Sequence, residues 1–202
     1  MKIKGTIQAI FSVLLCFLIL STDVIGNIKV SAHLSASWSA LSPFQLERIS
    51  RKVADVDTLI KETELVILGS PTGRTEEYPT WQKVANGQLK IFIQPFKVEQ
   101  VIYGDKISSF NLVRPGVDPL PPAEDPINRI YPGPLAENED YVLFLKQLTN
   151  DDYFVIGVWQ GVYPLDPDGK TVALLEEGFT AFHHLSVDEL RRKVLKMKES
   201  LE

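Results

Sequence analysis

The stretch Gln88 to Tyr103, QLKIFIQPFKVEQVIY, does most to limit what this chain can become. Leu89, Ile91 and Ile93 fall at every second position, and Phe96, Val98 and Val101 resume the pattern after a slip at Pro95. A period of two over so many residues is the mark of a strand with one buried face. Proline has no N–H for a ladder, so Pro95 must lie at an edge or a bulge. The stretch therefore predicts one long strand, bent at Pro95.

Other strands are shorter. Leu65 to Gly69 is an apolar run closed by glycine, and Ser109 to Val113 is a second. Tyr141 to Leu145, YVLFL, is apolar throughout, which predicts a central strand with Tyr141, Leu143 and Leu145 on one face and Val142 and Phe144 on the other. Tyr153 to Trp159, Gly161 to Leu165 and Thr171 to Leu175 follow, with a hairpin turn at Asp166-Pro167-Asp168-Gly169. Ser70 to Gly87 reads as a polar loop or hairpin tip. Pro115 to Pro134, with seven of the thirteen prolines, reads as an extended loop rather than a strand.

A helix is expected at each end. Ser42-Pro43-Phe44-Gln45 is a helix start, and Leu46, Ile49, Val53, Val56 and Ile60 form an apolar stripe running to about Glu62, with room for a break around Asp55-Asp57. Ser186-Val187-Asp188-Glu189 is a capping box, followed by Leu190, Val194, Met197 and Leu201 on one face. The fold class is mainly β with flanking helices, either a small closed barrel or a sandwich.

The N-terminus sets the compartment. Lys2 and Lys4 precede Ile7 to Leu20, a charge-free apolar run, and Ser21-Thr22-Asp23 ends it. This is the pattern of a secretory signal over residues 1–26, with a mature start near Asn27 and a polar tether over 27–41 before a single domain over 42–202. The alternative is an uncleaved anchor over residues 7–25, the one route by which this chain meets a membrane. The expected location is thus secreted or extracytoplasmic. Cys16, the sole cysteine, lies inside the apolar run, so the mature chain has no disulfide, thiolate nucleophile or cysteine metal site. Without the leader the balance is 19 basic to 25 acidic residues. That net negative charge disfavours a phosphate backbone, and no nucleic-acid partner is expected.

The order of short phrases carries a resemblance. Glu64-Leu65-Val66-Ile67-Leu68-Gly69, then Phe96 through Asp105 (FKVEQVIYGD), then Glu139-Asp140-Tyr141-Val142-Leu143-Phe144-Leu145, then Gly157 through Tyr163 (GVWQGVY) resemble a group of exported bacterial domains of unknown function. The same cadence resembles the netrin-like domain of the tissue inhibitors of metalloproteinases. The resemblance spans Glu64 to Tyr163 and implies an OB-like closed barrel of five to six strands. Those inhibitors act through an N-terminal cysteine and disulfides, which this chain lacks, so the resemblance brings the barrel and not protease inhibition.

Reactive chemistry finds little support. Asp168-Gly169-Lys170-Thr171 ends like a phosphate loop, but position 164 is proline where glycine is required. Asp166 and Asp168 lack the downstream ligands of a calcium loop. His183-His184 would face opposite ways on a strand, and neither cofactor nor metal is expected. No G-x-S-x-G elbow is present. Asp151-Asp152 and Glu137, Glu139 and Asp140 fall in turns, where carboxylates are usually hydrated. No catalytic residue is assigned. An envelope hydrolase using His183 or His184 is the competing reading.

Binding is the better expectation. Pro119-Leu120-Pro121-Pro122 is a P-x-x-P stretch suited to an extended left-handed helix. Tyr78, Trp81 and Tyr131 sit in the two long loops with few apolar neighbours, and Trp159 ends an apolar run. Tyr78, Trp81, Pro119, Pro122 and Tyr131 are therefore the candidate contacts of a cell-surface or envelope module without catalytic activity, whose partner is an envelope protein or polymer.

Overall fold

β3 (Gly87–Tyr103) is the longest strand of the computed structural model, which describes residues 43–84, 87–174 and 176–201. The expected leader and tether lie outside the described residues. β3 pairs antiparallel with β4 (Ser109–Asp118) from Gln88↔Asp118 to Lys97↔Ser109 without a register shift. Along its other edge it changes partner. Its C-terminal part pairs with β1 (Leu65–Pro71), from Pro71↔Phe96 to Val66↔Tyr103, and its N-terminal part with β2 (Glu76–Val84), from Glu76↔Ile93 to Val84↔Gly87. Pro95 falls at the changeover. Its carbonyl accepts from Thr72 N at 2.7 Å, where β1 has ended and β2 has not begun, so its missing N–H breaks neither ladder.

β1 also pairs antiparallel with β5 (Tyr141–Gln147), β5 with β6 (Asp152–Val155), and β6 runs parallel to β4. The path β1-β3-β4-β6-β5 therefore returns to β1 and closes a five-stranded, OB-like barrel. β2 extends the sheet beyond β3, and β7 (Val162–Pro164) pairs outside β5. The Asp166 turn is a hairpin as expected: Asp166 Oδ1 accepts from Asp168 N and Lys170 N, and Leu165 bridges Thr171. Thr171 to Leu175 otherwise forms no strand among the described residues.

Two expectations change. Ser70 to Gly87 is largely strand β2, because Thr80 and Gln88 stitch it to β3: Thr80 Oγ1 donates to Leu89 O and Gln88 Nε2 to Thr80 O. β4 runs on through Pro115 to Asp118, taking the first residues of the expected proline loop into the sheet.

The helix before the barrel is divided into α1 (Pro43–Ile49) and α2 (Val56–Glu62). Asp55 causes the division: it turns extended and its carboxylate accepts from Thr58 N at 2.7 Å, capping α2. These bonds from Thr58 hold the Asp55 carboxyl below its ordinary value. α3 (Val187–Leu201) begins with the expected capping box, Glu189 accepting from Ser186 N at 2.8 Å and Ser186 Oγ at 2.7 Å. No helix among the described residues is long and apolar enough to cross a membrane.

The core has two layers, divided by β5. Tyr141, Leu143 and Leu145 point into the barrel among Leu65, Ile67, Phe96, Phe110 and Leu112. Val142 and Phe144 point outward, under Leu59 and Ile60 of α2 and Leu190 and Val194 of α3. Phe144 meets Tyr163 at 5.6 Å and Phe182 at 5.0 Å between ring centres. Both Leu143 and Phe144 are fully buried. Leu143→Ala and Phe144→Ala should each lower unfolding free energy by about 2–5 kcal/mol in denaturant titration. A loss below about 0.5 kcal/mol in both would place β5 at a surface.

Candidate functional site

The end of the barrel beneath the proline-rich segment is built from polar side chains on strands that are otherwise apolar. On β4, alternation from Phe110 and Leu112 carries the next side chain on the interior face to Arg114, opposite Phe92 of β3. Arg114 is 3% exposed. Its guanidinium carbon lies 4.5 Å from the ring centre of Trp159. Nη1 and Nη2 are buried and have no hydrogen-bond partner among the described residues. Burial pushes the Arg114 pKa down to about 9, with the nearby Tyr141 acting in the opposite sense, so the group stays cationic at neutral pH.

Two register positions along and on the same face, Gln94 on β3 is also buried. Its Oε1 accepts from Leu135 N at 3.0 Å and its Nε2 donates to Leu135 O at 2.9 Å. One side-chain amide thus satisfies both backbone groups of a residue that plugs the barrel. Tyr141 completes the layer: its hydroxyl donates to Glu139 Oε2 at 2.8 Å. Burial first, and then this bond, push the phenol above its ordinary range.

The segment from Pro119 to Leu135 is tied down at several points. Gly133 N donates to Pro115 O at 2.9 Å, and Pro132 bridges Gly116. Glycine is required at 116, since a Cβ there would stand 2.5 Å from the Phe92 ring and 2.7 Å from Gly133 Cα. Asp125 caps a short 3-10 helix (Pro126–Arg129) through Ile127 N, and Asn128 Nδ2 donates to Pro122 O at 2.6 Å. Trp159 Nε1 donates to Asn128 O at 2.7 Å. Arg129 pairs with Glu176 at 2.8 Å, and Lys52 with Glu177 at 2.5 Å. Trp159 also lines an open depression of about 390 Å³ with Asn128, Arg129, Leu174 and Glu177.

The residues singled out from sequence are distributed around this end rather than gathered at one point. Pro119 and Pro122 line a second depression, about 210 Å³, together with Leu120 and with Gly87 at the start of β3. Tyr78 and Trp81 lie on β2, the strand outside β3, and Trp81 is 95% exposed. Tyr131 adjoins Pro132 on the opposite edge of β4. Three strand spacings, roughly 14 Å, separate it from Tyr78. Trp159 is a rim residue, half-buried, while Tyr163 is wholly core.

Arg114 and Gln94 escaped the sequence reading. Each stands immediately before a proline: the expected strand Ser109 to Val113 stops short of Arg114, and Gln94 falls among the polar positions of the strand expected to run through Pro95. The available signal was a lone arginine between Val113 and Val117 in an otherwise apolar run.

His183 and His184 follow a 3-10 turn (Thr180–Phe182) and are both exposed, not set on opposite faces of a strand. His183 Nδ1 accepts from Ala173 N at 3.2 Å. His184 Nδ1 is 3.7 Å from Asp166 Oδ2, and its Nε2 is 3.2 Å from Lys170 Nζ. Neither ring bonds a hydroxyl among the described residues. Asp152 is buried rather than hydrated, accepting from Asn111 Nδ2 at 3.0 Å and from Thr149 Oγ1. No cluster of three metal-ligating side chains occurs among the described residues. No family model, curated protein or solved structure matches this chain.

The buried phenols give a pH signature. In the unfolded chain Tyr141 and Tyr163 ionise near pH 10.0; in the folded chain burial, the first cause for both, raises them. Their contribution to stability is full below pH 10 and is lost as pH climbs toward the folded-state values. Phenolate absorbance should show Tyr141 and Tyr163 silent until the domain unfolds in alkali, with Tyr78, bonded to Glu76, and the partly buried Tyr153 also ionising above the ordinary phenol range. Ionisation of all six tyrosines near pH 10 with the fold intact would contradict this burial.

Proposed function

We propose that the chain is an exported module of the cell surface or envelope that binds a protein or polymer and has no catalytic activity, built on a netrin-like barrel. The observation that carries the reading is Trp81, 95% exposed on the outermost strand of the sheet. An indole left in water adds nothing to folding, whereas tryptophan is prominent among residues that anchor partners. The P-x-x-P stretch, with Leu120 58% exposed, supplies a second apolar surface beside Gly87 at the start of β3. Export is supported by the basic start and the charge-free run Ile7 to Leu20.

The test is sedimentation of the exported chain with isolated envelope material. Trp81→Ala should weaken retention by about tenfold or more, the scale of a tryptophan anchor. Equal retention of both proteins would remove Trp81 from the function. Hydrolysis of envelope polymer, abolished by His184→Ala with the fold intact, would establish the competing hydrolase reading. The same material decides processing: N-terminal sequencing should begin near Asn27, and a membrane-bound chain beginning at Met1 would make residues 7–25 an anchor.

A further inference from the structure

Among the described residues two charged side chains are buried, and they are treated in opposite ways. Asp152 receives hydrogen bonds from Asn111 and Thr149. Arg114 receives a stacking indole on its face but no acceptor at Nη1 or Nη2. Burying a guanidinium without an anion is among the most unfavourable things a fold can do. The neighbouring polar groups do not relieve it. Gln94 spends its amide on Leu135, and Glu139 accepts from Tyr141.

We propose that Arg114 is the receptor for a carboxylate that enters the barrel end past Trp159. The chemistry follows from the free atoms. Trp159 stacks on the guanidinium, so an acceptor comes in the plane of the fork, where two N–H edges match two coplanar oxygens. A single negative charge balances a single buried cation. A phosphate dianion would bring excess charge to a rim where Glu124, Asp125 and Glu177 already outnumber the single lining cation, Arg129. The route follows from Trp159 being common to both places: it covers Arg114 and lines the open depression of about 390 Å³. One hydrogen bond, to Asn128 O, pins its ring nitrogen. The site is a property of the isolated domain and does not rest on the envelope-binding reading.

The carboxylate is borne either by a free organic acid or by a protein or polymer. Formate and poly-glutamate are the two probes, with chloride at matched ionic strength as the control. In a Trp38→Phe, Trp81→Phe background, emission reports Trp159 alone. Formate, poly-glutamate or both should change that emission saturably and raise the thermal midpoint over the same concentrations. A response to formate assigns a free acid, and one to poly-glutamate alone assigns a polymer-borne group. Arg114→Met should bind the active probe about tenfold or more less tightly, the factor a charge-assisted hydrogen bond supplies. Without probe it should be no less stable than wild type, since it removes an uncompensated charge at similar length. Should that variant not fold, the wild-type titration decides alone. A response to neither probe beyond chloride, or an unchanged response in Arg114→Met, overturns the assignment.

Discussion

The unbroken pairing of β3 with β4 is the constraint on which this fold rests. Ten residue pairs run in register from Gln88↔Asp118 to Lys97↔Ser109, while the outer edge of β3 passes from β1 to β2. A proline inside a ladder ordinarily costs a hydrogen bond. Here it coincides with the gap between two partners, so the strand continues without losing one. The change of partner lets the C-terminal part of β3 join the closed barrel while its N-terminal part carries β2 outward. Trp81 stands far from the core for that reason.

Burial on β5 follows from the closure. A strand in a small barrel has one face inside by necessity. The other face of β5 is covered by α2 and α3, which bring Leu59, Ile60, Leu190 and Val194 onto Val142 and Phe144. The barrel and the helices are thus held by one strand with no polar face. The polar layer has been displaced to the end of the barrel, where Gln94, Arg114 and Tyr141 lie beneath the proline-rich segment. Gln94 and Tyr141 are satisfied by that segment's own backbone and by Glu139. Arg114 is satisfied by neither, and it is the point at which the demands of packing and the chemistry of the side chain diverge.

Much of the architecture could be read from residue order. The apolar run of β5 and the capping box at Ser186 each report a local rule, and each stands in the structure as expected; the long strand from Gln88 to Tyr103 stands too, but from Ile91 to Gln94 it is buried on both faces rather than one. The Asp55 break was legible as a possibility, because aspartate competes for backbone N–H groups wherever it stands. β2 was not legible: Glu76 to Val84 is polar and holds Pro79, and its strand conformation comes from pairing with β3 alone. The end of β4 was hidden for a related reason. Pro115 and Gly116 read as a stop, yet the ladder to β3 continues through both.

The sequence by itself determined the periods: which residues alternate, which runs are apolar on both faces, where helices start, and that residues 42–202 hold no cysteine. These are properties of neighbours within a few residues, set by backbone geometry and by the transfer of apolar side chains from water. Tertiary structure alone decided which polar side chains would be buried. Arg114 and Gln94 look like surface residues in isolation, and only closure of the barrel and the descent of the proline-rich segment enclose them. Whether a polar group is exposed, satisfied or left waiting for a partner depends on chain that arrives from far away in sequence. No local pattern encodes that arrival.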